Sequence, residues 1–237
     1  MLVFVVLAII CFPFLVVAVF TGNSKIIKAA HYLPAYGARI ALFLWGIKIE
    51  IRNKELIDAK GQYIYISNHR SYLDAFIAAN VIPNFLKYLG KAEMLQWPMI
   101  GYLLKNYYVP VWRKDKDNRA WSMQEMEEKV KTGCSFFICP EGTCNISEDF
   151  FIRFYHGAFK LSLETGIPIV PLTFIGAGER MPRSKFLLTP GSIIVYWHPP
   201  IFPSEFSIDT LDEVRERVLA IMRKDLLVHY PEGKYEL

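Results

Sequence analysis

From Ile47 onward, strand-like and helix-like stretches take turns along the chain, and no other feature constrains the fold as much. Ile47, Ile49 and Ile51 interleave with Lys48, Glu50 and Arg52, the period of two expected of a half-buried strand. Tyr63–Ser67 reads as a buried strand, and Ser71–Ala79 as a short helix. Glu93–Lys105 reads as a helix containing Pro98 and Gly101, and Tyr107–Trp112 as a strand. The charged string at residues 113–119 is predicted to be a solvated loop. Trp121, Met123, Met126 and Val130 form the apolar stripe of a helix ending near Gly133. Ser135–Cys139 is a strand, Gly157–Glu164 a helix stopped by Gly166, Ile169–Phe174 a strand carrying Pro171, and Ile193–Trp197 another strand. The pair Thr210 and Glu213 has the spacing of a capping box and would open a last helix running to about Val228. Segments that switch period in this way build an α/β domain, a largely parallel sheet flanked by helices.

The N-terminal segment has a different character. Met1 to Phe20 carry no charged or strongly polar side chain, and the first charge is Lys25. Twenty residues of helix reach about 30 Å, the thickness of a bilayer's hydrocarbon core. A secretory signal fits less well, because no basic residue precedes the run and the run exceeds the usual ~7–15 residues. Lys25, Lys28 and Arg39 follow it and would hold the downstream side in the cytosol. Ile40–Gly46 reads as an interfacial continuation. The expected division is therefore a membrane-anchoring helical segment at 1–46 and an α/β domain at 47–237, on the cytosolic face of the cell's inner membrane. Charged residues make up 21% of the chain, too many for a protein of many spans, and a net charge of +4 is too small and too scattered for a nucleic-acid binder. The mild positive charge suits anionic lipid surfaces or anionic substrates.

Chemistry in open α/β sheets collects on the loops after the strands. Three such segments carry reactive residues here: Asn68–Asp74, Gly90–Ala92 and Pro140–Thr143. His69 and Asp74 would face apart on one continuous helix. With His69 in the turn and Asp74 in the first turn of the helix, the carboxylate reaches back to the imidazole, giving a base and its orienting group. The plainer alternative is that Ser71 and Asp74 only cap the helix. Glu141 could equally sit in an exposed turn, while Gly142 permits close backbone approach and Thr143 offers a hydroxyl. Cys134 and Cys139 bracket a strand at a separation that puts them on opposite faces, so they are read as reduced thiols rather than a zinc site. No metal-ligand motif is present, and no GxSxG elbow.

Taken in order, His69 and Asp74 within NHxSxLD, then Gly90-Lys91-Ala92-Glu93 with Pro98, Gly101 and Arg113, then Pro140-Glu141-Gly142-Thr143, then Pro168-Ile169-Val170-Pro171, closely resemble the motifs of the glycerophospholipid acyltransferases. The 1-acyl-glycerol-3-phosphate acyltransferases are the nearest type, and the resemblance spans about residues 60 to 175. It implies transfer of a fatty acyl group from acyl-CoA or acyl-carrier protein to the free hydroxyl of 1-acyl-glycerol-3-phosphate, giving phosphatidic acid. It assigns catalysis to His69 and Asp74, and substrate binding to Lys91, Arg113, Glu141, Gly142 and Thr143. No metal or cofactor is implied. The expected partners are the acyl donor, a lysophospholipid acceptor and the bilayer. The family's third motif continues into an arginine that helps bind the acceptor phosphate, and here that position is Cys144. A thiol offers no charge-assisted contact. Either Lys91, Arg113 or Arg153 compensates, or the acceptor is a lyso-aminolipid such as a lyso-ornithine or lyso-glycine lipid. A non-catalytic, membrane-anchored lipid-binding module is the remaining alternative.

Overall fold

The computed structural model describes residues 35–96, 101, 107–112, 115–183 and 187–235. The apolar run at 1–20, Arg113 and most of the predicted helix 93–105 lie outside the described residues. Among the described residues, no helix is long and apolar enough to cross a membrane.

Seven strands of the described residues form one sheet: β1 (Ile47–Arg52), β2 (Ile64–Ser67), β3 (Leu86–Lys91), β4 (Tyr108–Val111), β5 (Ser135–Ile138), β6 (Ile169–Ile175) and β7 (Gly191–Trp197), in the spatial order β1-β7-β6-β2-β5-β3-β4. The run from β6 to β4 is parallel throughout, while β7 meets β6 antiparallel and carries β1 parallel to itself. The sheet is therefore largely parallel, with a two-stranded flap of opposite direction at one edge. Every residue of β2, β5 and β6 is buried, as expected of strands covered on both faces. Pro171 is tolerated inside β6 because it sits one residue before the pairing with β7 begins at Leu172 and Trp197.

Helix α1 (residues 35–44) and α2 (Leu73–Val81) supply Leu42, Leu73, Ile77 and Val81 to the core on one face, around Tyr65, Phe137, Phe174 and Trp197. Helices α3 (Lys116–Val130), α4 (Gly157–Thr165) and α6 (Leu211–His229) cover the other face, where Met126, Phe159, Val218 and Met222 meet Ile64, Ile66, Phe136 and Ile138. Each of these large side chains contributes about 1.5–3 kcal/mol by leaving water. A short helix, α5 (Ala177–Arg180), follows β6.

Several local expectations change. Gly90 and Lys91 end strand β3 rather than forming a loop, and the segment after them begins as 3-10 helix over Ala92–Gln96. The charged string is not all loop: Asp115 accepts from the N–H groups of Asp117 and Asn118 and starts α3 inside it. Trp121 is 44% exposed, whereas Ser122 is buried, so the core face of α3 runs Ser122, Met126, Val130. The Thr210 side chain makes no capping bond to α6; its hydroxyl accepts from the Ser207 N–H instead.

Candidate active site

Strands β2 and β5 are parallel neighbours paired at Ile66 and Ile138. The turns leaving their carboxyl ends, Asn68–Tyr72 and Cys139–Thr143, are therefore brought side by side. The backbone of His69 ties them together. The His69 N–H donates to Glu141 Oε1 at 2.7 Å, and the Asn145 N–H donates to the His69 carbonyl at 2.7 Å.

His69 lies in the turn and Asp74 is the second residue of α2. Their side chains meet, with His69 Nδ1 2.7 Å from Asp74 Oδ2. The same oxygen accepts from the N–H groups of Arg70 at 2.9 Å and Ser71 at 3.0 Å. An oxygen that already accepts twice from backbone is a carboxylate acceptor, so Nδ1 carries the proton and Nε2 is the basic nitrogen. Ser71 Oγ in turn accepts from the Leu73 N–H at 3.1 Å. The capping reading and the orienting reading of Asp74 are thus both realised, through one atom. Asp74 is 1% exposed, and the His69 side chain keeps 22% of its surface open. Burial pulls the imidazole's pKa down, but the Cys139 sulfur and the Asp74 carboxylate outweigh it, and the net shift is well upward.

Glu141 is buried with both carboxylate oxygens engaged, Oε1 by the His69 N–H and Oε2 by the Ile152 N–H at 3.2 Å. Burial pushes its carboxyl up to about 7 against the pull of those two donors. In this geometry Glu141 holds the His69 backbone. Gly142 sits at φ +68°, a left-handed conformation that favours glycine, and a Cβ there would lie 3.0 Å from the Tyr155 ring. Thr143 is exposed beside it.

The cations are distributed unevenly. Lys91 is at the exposed end of β3, with its Nζ 3.5 Å from a Glu93 oxygen. Arg153 is exposed over the Tyr155 ring, 5.2 Å from its centroid. Cys144 is 5% exposed, and burial pushes its thiol up. The guanidinium of Arg183, 5.3 Å from the centroid of the Tyr72 ring, pulls the thiol back down. Sequence spacing offered no signal for Arg183. Asn68 opens the NHxSxLD motif without a role assigned to it there, and its amide bonds both the N–H and the carbonyl of Phe174 at 2.8 Å.

Comparison with known proteins bears on the family and the fold. The family model described as Acyltransferase matches residues 48–175. A chloroplastic 1-acyl-sn-glycerol-3-phosphate acyltransferase of Brassica napus, BAT2, is 29% identical over 88% of this chain and 62% of its own length. The protein of the same name from Salmonella typhimurium is 28% identical over 77% of this chain and 74% of its own. The chain thus spans less than two thirds of the Brassica relative. Among solved structures, the 1-acyl-sn-glycerophosphate (LPA) acyltransferase PlsC from Thermotoga maritima superposes with a TM-score of 0.76 over 98% of both chains at 19% identity, which is a likeness of fold.

Proposed function

The chain belongs to the acyltransferase family, and from that premise we propose that it acylates the free hydroxyl of 1-acyl-glycerol-3-phosphate, with acyl-CoA or acyl-carrier protein as donor and phosphatidic acid as product. The observation that carries the reading is the 2.7 Å contact between His69 Nδ1 and Asp74 Oδ2 at the carboxyl end of β2.

In this mechanism Nε2 of His69 takes the proton from the acceptor hydroxyl as its oxygen attacks the thioester carbonyl. Asp74 keeps the imidazole in the right tautomer and stabilises the imidazolium that forms. Collapse of the tetrahedral intermediate breaks the carbon–sulfur bond, and the imidazolium returns its proton to the departing thiolate. The acceptor is itself the nucleophile, so no covalent acyl-enzyme is needed. Glu141 and Gly142 shape the turn that holds the His69 backbone, and Thr143 lines the acceptor side beside them.

An anionic acceptor is supported by Arg183. Its guanidinium stands beside Cys144, at the point where the resemblance calls for an arginine, and among the described residues it forms no ion pair with a carboxylate. A guanidinium grips phosphate through a rigid fork of donors. Lys91 and Arg113 are retained as donor- or acceptor-binding residues in this reading. A membrane location, with 1–46 as anchor, 47–237 as catalytic domain and the site on the cytosolic side, is supported by the apolar run at 1–20 and by α1, which exposes Tyr36, Ile40, Phe43 and Leu44.

The test is acyl transfer by the purified protein to 1-acyl-glycerol-3-phosphate, lyso-ornithine lipid and lyso-glycine lipid, with acyl-CoA and acyl-carrier protein compared. Formation of labelled phosphatidic acid, lost in His69→Ala, is expected. Transfer to a lyso-aminolipid alone would move the acceptor assignment, and transfer to none would overturn the reading.

A further inference from the structure

Tyr235 lies far along the chain from the histidine turn, yet it touches both residues that flank His69. Its hydroxyl accepts from Asn68 Nδ2 at 3.3 Å, and its ring stacks under the Arg70 guanidinium, whose Cζ is 3.9 Å from the ring centroid. Tyr235 is 3% exposed. Its N–H donates to the Glu148 carbonyl at 2.7 Å, and its ring meets Phe150 and Tyr230 edge-on, at 5.3 Å and 5.0 Å between centroids. Tyr230 is tied to the end of β6, its hydroxyl donating to Glu179 and accepting from the Gly176 N–H.

The two flanking residues are themselves anchors. Asn68 is locked to the Phe174 backbone of β6. Arg70 Nη1 donates to the carbonyls of Asn145 at 2.9 Å and Ser147 at 2.5 Å, in the segment that follows Pro140–Thr143. A guanidinium held by two carbonyls and a tyrosine face has no freedom to swing. The segment 230–235 therefore closes a ring of contacts: β6 to Asn68, Asn68 to Tyr235, Tyr235 to Arg70, and Arg70 to the 145–147 segment.

We propose that Tyr235 is a positioning residue for the acyl-transfer base, fastening Asn68 and Arg70 so that the His69 ring stays directed onto Asp74. The proposal rests on the reading of His69 as that base. A base displaced by about 1 Å loses up to about 10²-fold in rate, and the residues that hold such a group still are the difference between a present and an effective site. A phenol only filling space would leave the imidazole's environment unchanged.

The experiment measures the imidazole directly. Diethyl pyrocarbonate modification of His69, followed by peptide mass spectrometry across pH, gives the midpoint at which the ring loses its proton. The groups facing that ring are Asp74, Cys139, Glu141 and Cys144, and all stay in place in the variants. Tyr235→Phe loses the Asn68 contact and should lower kcat, though by less than about threefold because it keeps the stack. Tyr235→Leu removes it: kcat should fall about tenfold or more with KM changed less than twofold, and the His69 midpoint should drop as the ring leaves Asp74. Arg70→Lys attacks the same stack from the other side, keeps the charge and should lower the midpoint likewise, which covers the case of a poorly folding Tyr235→Leu. An unchanged midpoint in both variants overturns the proposal. Because the midpoint needs no turnover, a failure of the acyl-transfer reading shows separately, as a wild-type protein with the expected midpoint and no product.

Discussion

Replacing Asp74 by asparagine tests the arrangement at its most loaded atom. Oδ2 accepts from three donors, the His69 ring at 2.7 Å and the Arg70 and Ser71 N–H groups at 2.9 and 3.0 Å, while Oδ1 is buried without a partner among the described residues. An asparagine must place its NH₂ at one of these positions. At Oδ1 it is buried with nothing to donate to. At Oδ2 it faces two backbone N–H groups and pushes the imidazole into the tautomer that protonates Nε2. Hydrogen bonds to a charged acceptor contribute about 1.5–3 kcal/mol each and neutral ones about 0.5–1.5. Downgrading the two backbone bonds and burying one unpaired amide therefore costs about 3 kcal/mol, or about 6–12 °C of melting temperature for a chain of this size. Catalysis should suffer more. The imidazolium loses its counter-charge, and the same carboxylate-to-amide change in a Ser-His-Asp site costs about 10⁴ in kcat. His69 must be neutral to accept a proton, so the wild-type rate rises with pH through its elevated pKa. With the carboxylate gone, desolvation pulls that limb to lower pH. Steady-state kinetics across pH, with a thermal melt on the same sample, check both. A variant within tenfold of wild type whose acid limb has not moved would refute the role given to Asp74.

Other outcomes follow from the same geometry. His69→Ala should lower kcat by about 10²–10⁴-fold and lower the melting temperature less than Asp74→Asn, since it removes one of the three bonds to Oδ2; near-normal turnover would remove it as the base. Glu141 is a buried acid with its pKa raised to about 7 from an ordinary 4.5, so the fold favours its neutral form. Its contribution is fully present below pH 4.5 and is lost as pH rises through 7, a fall of about 3 kcal/mol that should vanish in Glu141→Gln when urea unfolding is compared at the two ends of that window. Parallel pH slopes for the two proteins would contradict this. Arg183→Ala should raise KM for a phosphate-bearing lysolipid about tenfold and leave KM for an uncharged lysolipid unchanged, the step corresponding to about 1.4 kcal/mol. Equal KM values for the anionic acceptor would show that another cation holds the phosphate.

The alternation of periods was enough to read six of the seven strands, because most of them are apolar runs or clean alternations. Strand β3 was illegible: its sequence LKYLGK carries lysines at two positions and no two-residue rhythm, and it becomes a strand by pairing between β5 and β4. In helix α3, Met126 and Val130 are buried and Met123 packs against the core as read, but a serine takes the core position expected of Trp121. Ser122 is accepted there since its hydroxyl donates to the Pro110 and Asn118 carbonyls, and this turns Trp121 outward. The start of that helix was hidden because Asp115 looked like one more charge in a charged loop. At the site, His69 and Asp74 could be paired from sequence, since one local turn decides whether they meet. Arg183 and Tyr235 could not, because their contacts are made by the sheet and the returning C-terminal segment, and no local spacing encodes them.

Among the described residues the edge strand β1 has one strand neighbour, β7, which is made long after it. A growing chain that has not yet released Gly191–Trp197 holds Ile47–Arg52 out of the sheet. Closure of this sheet is accordingly a late event, joining β1 to β7 only after both site turns have left the ribosome. Contacts of such long range slow folding, and stalling or truncation anywhere upstream of β7 yields an unzipped edge instead of a smaller working domain.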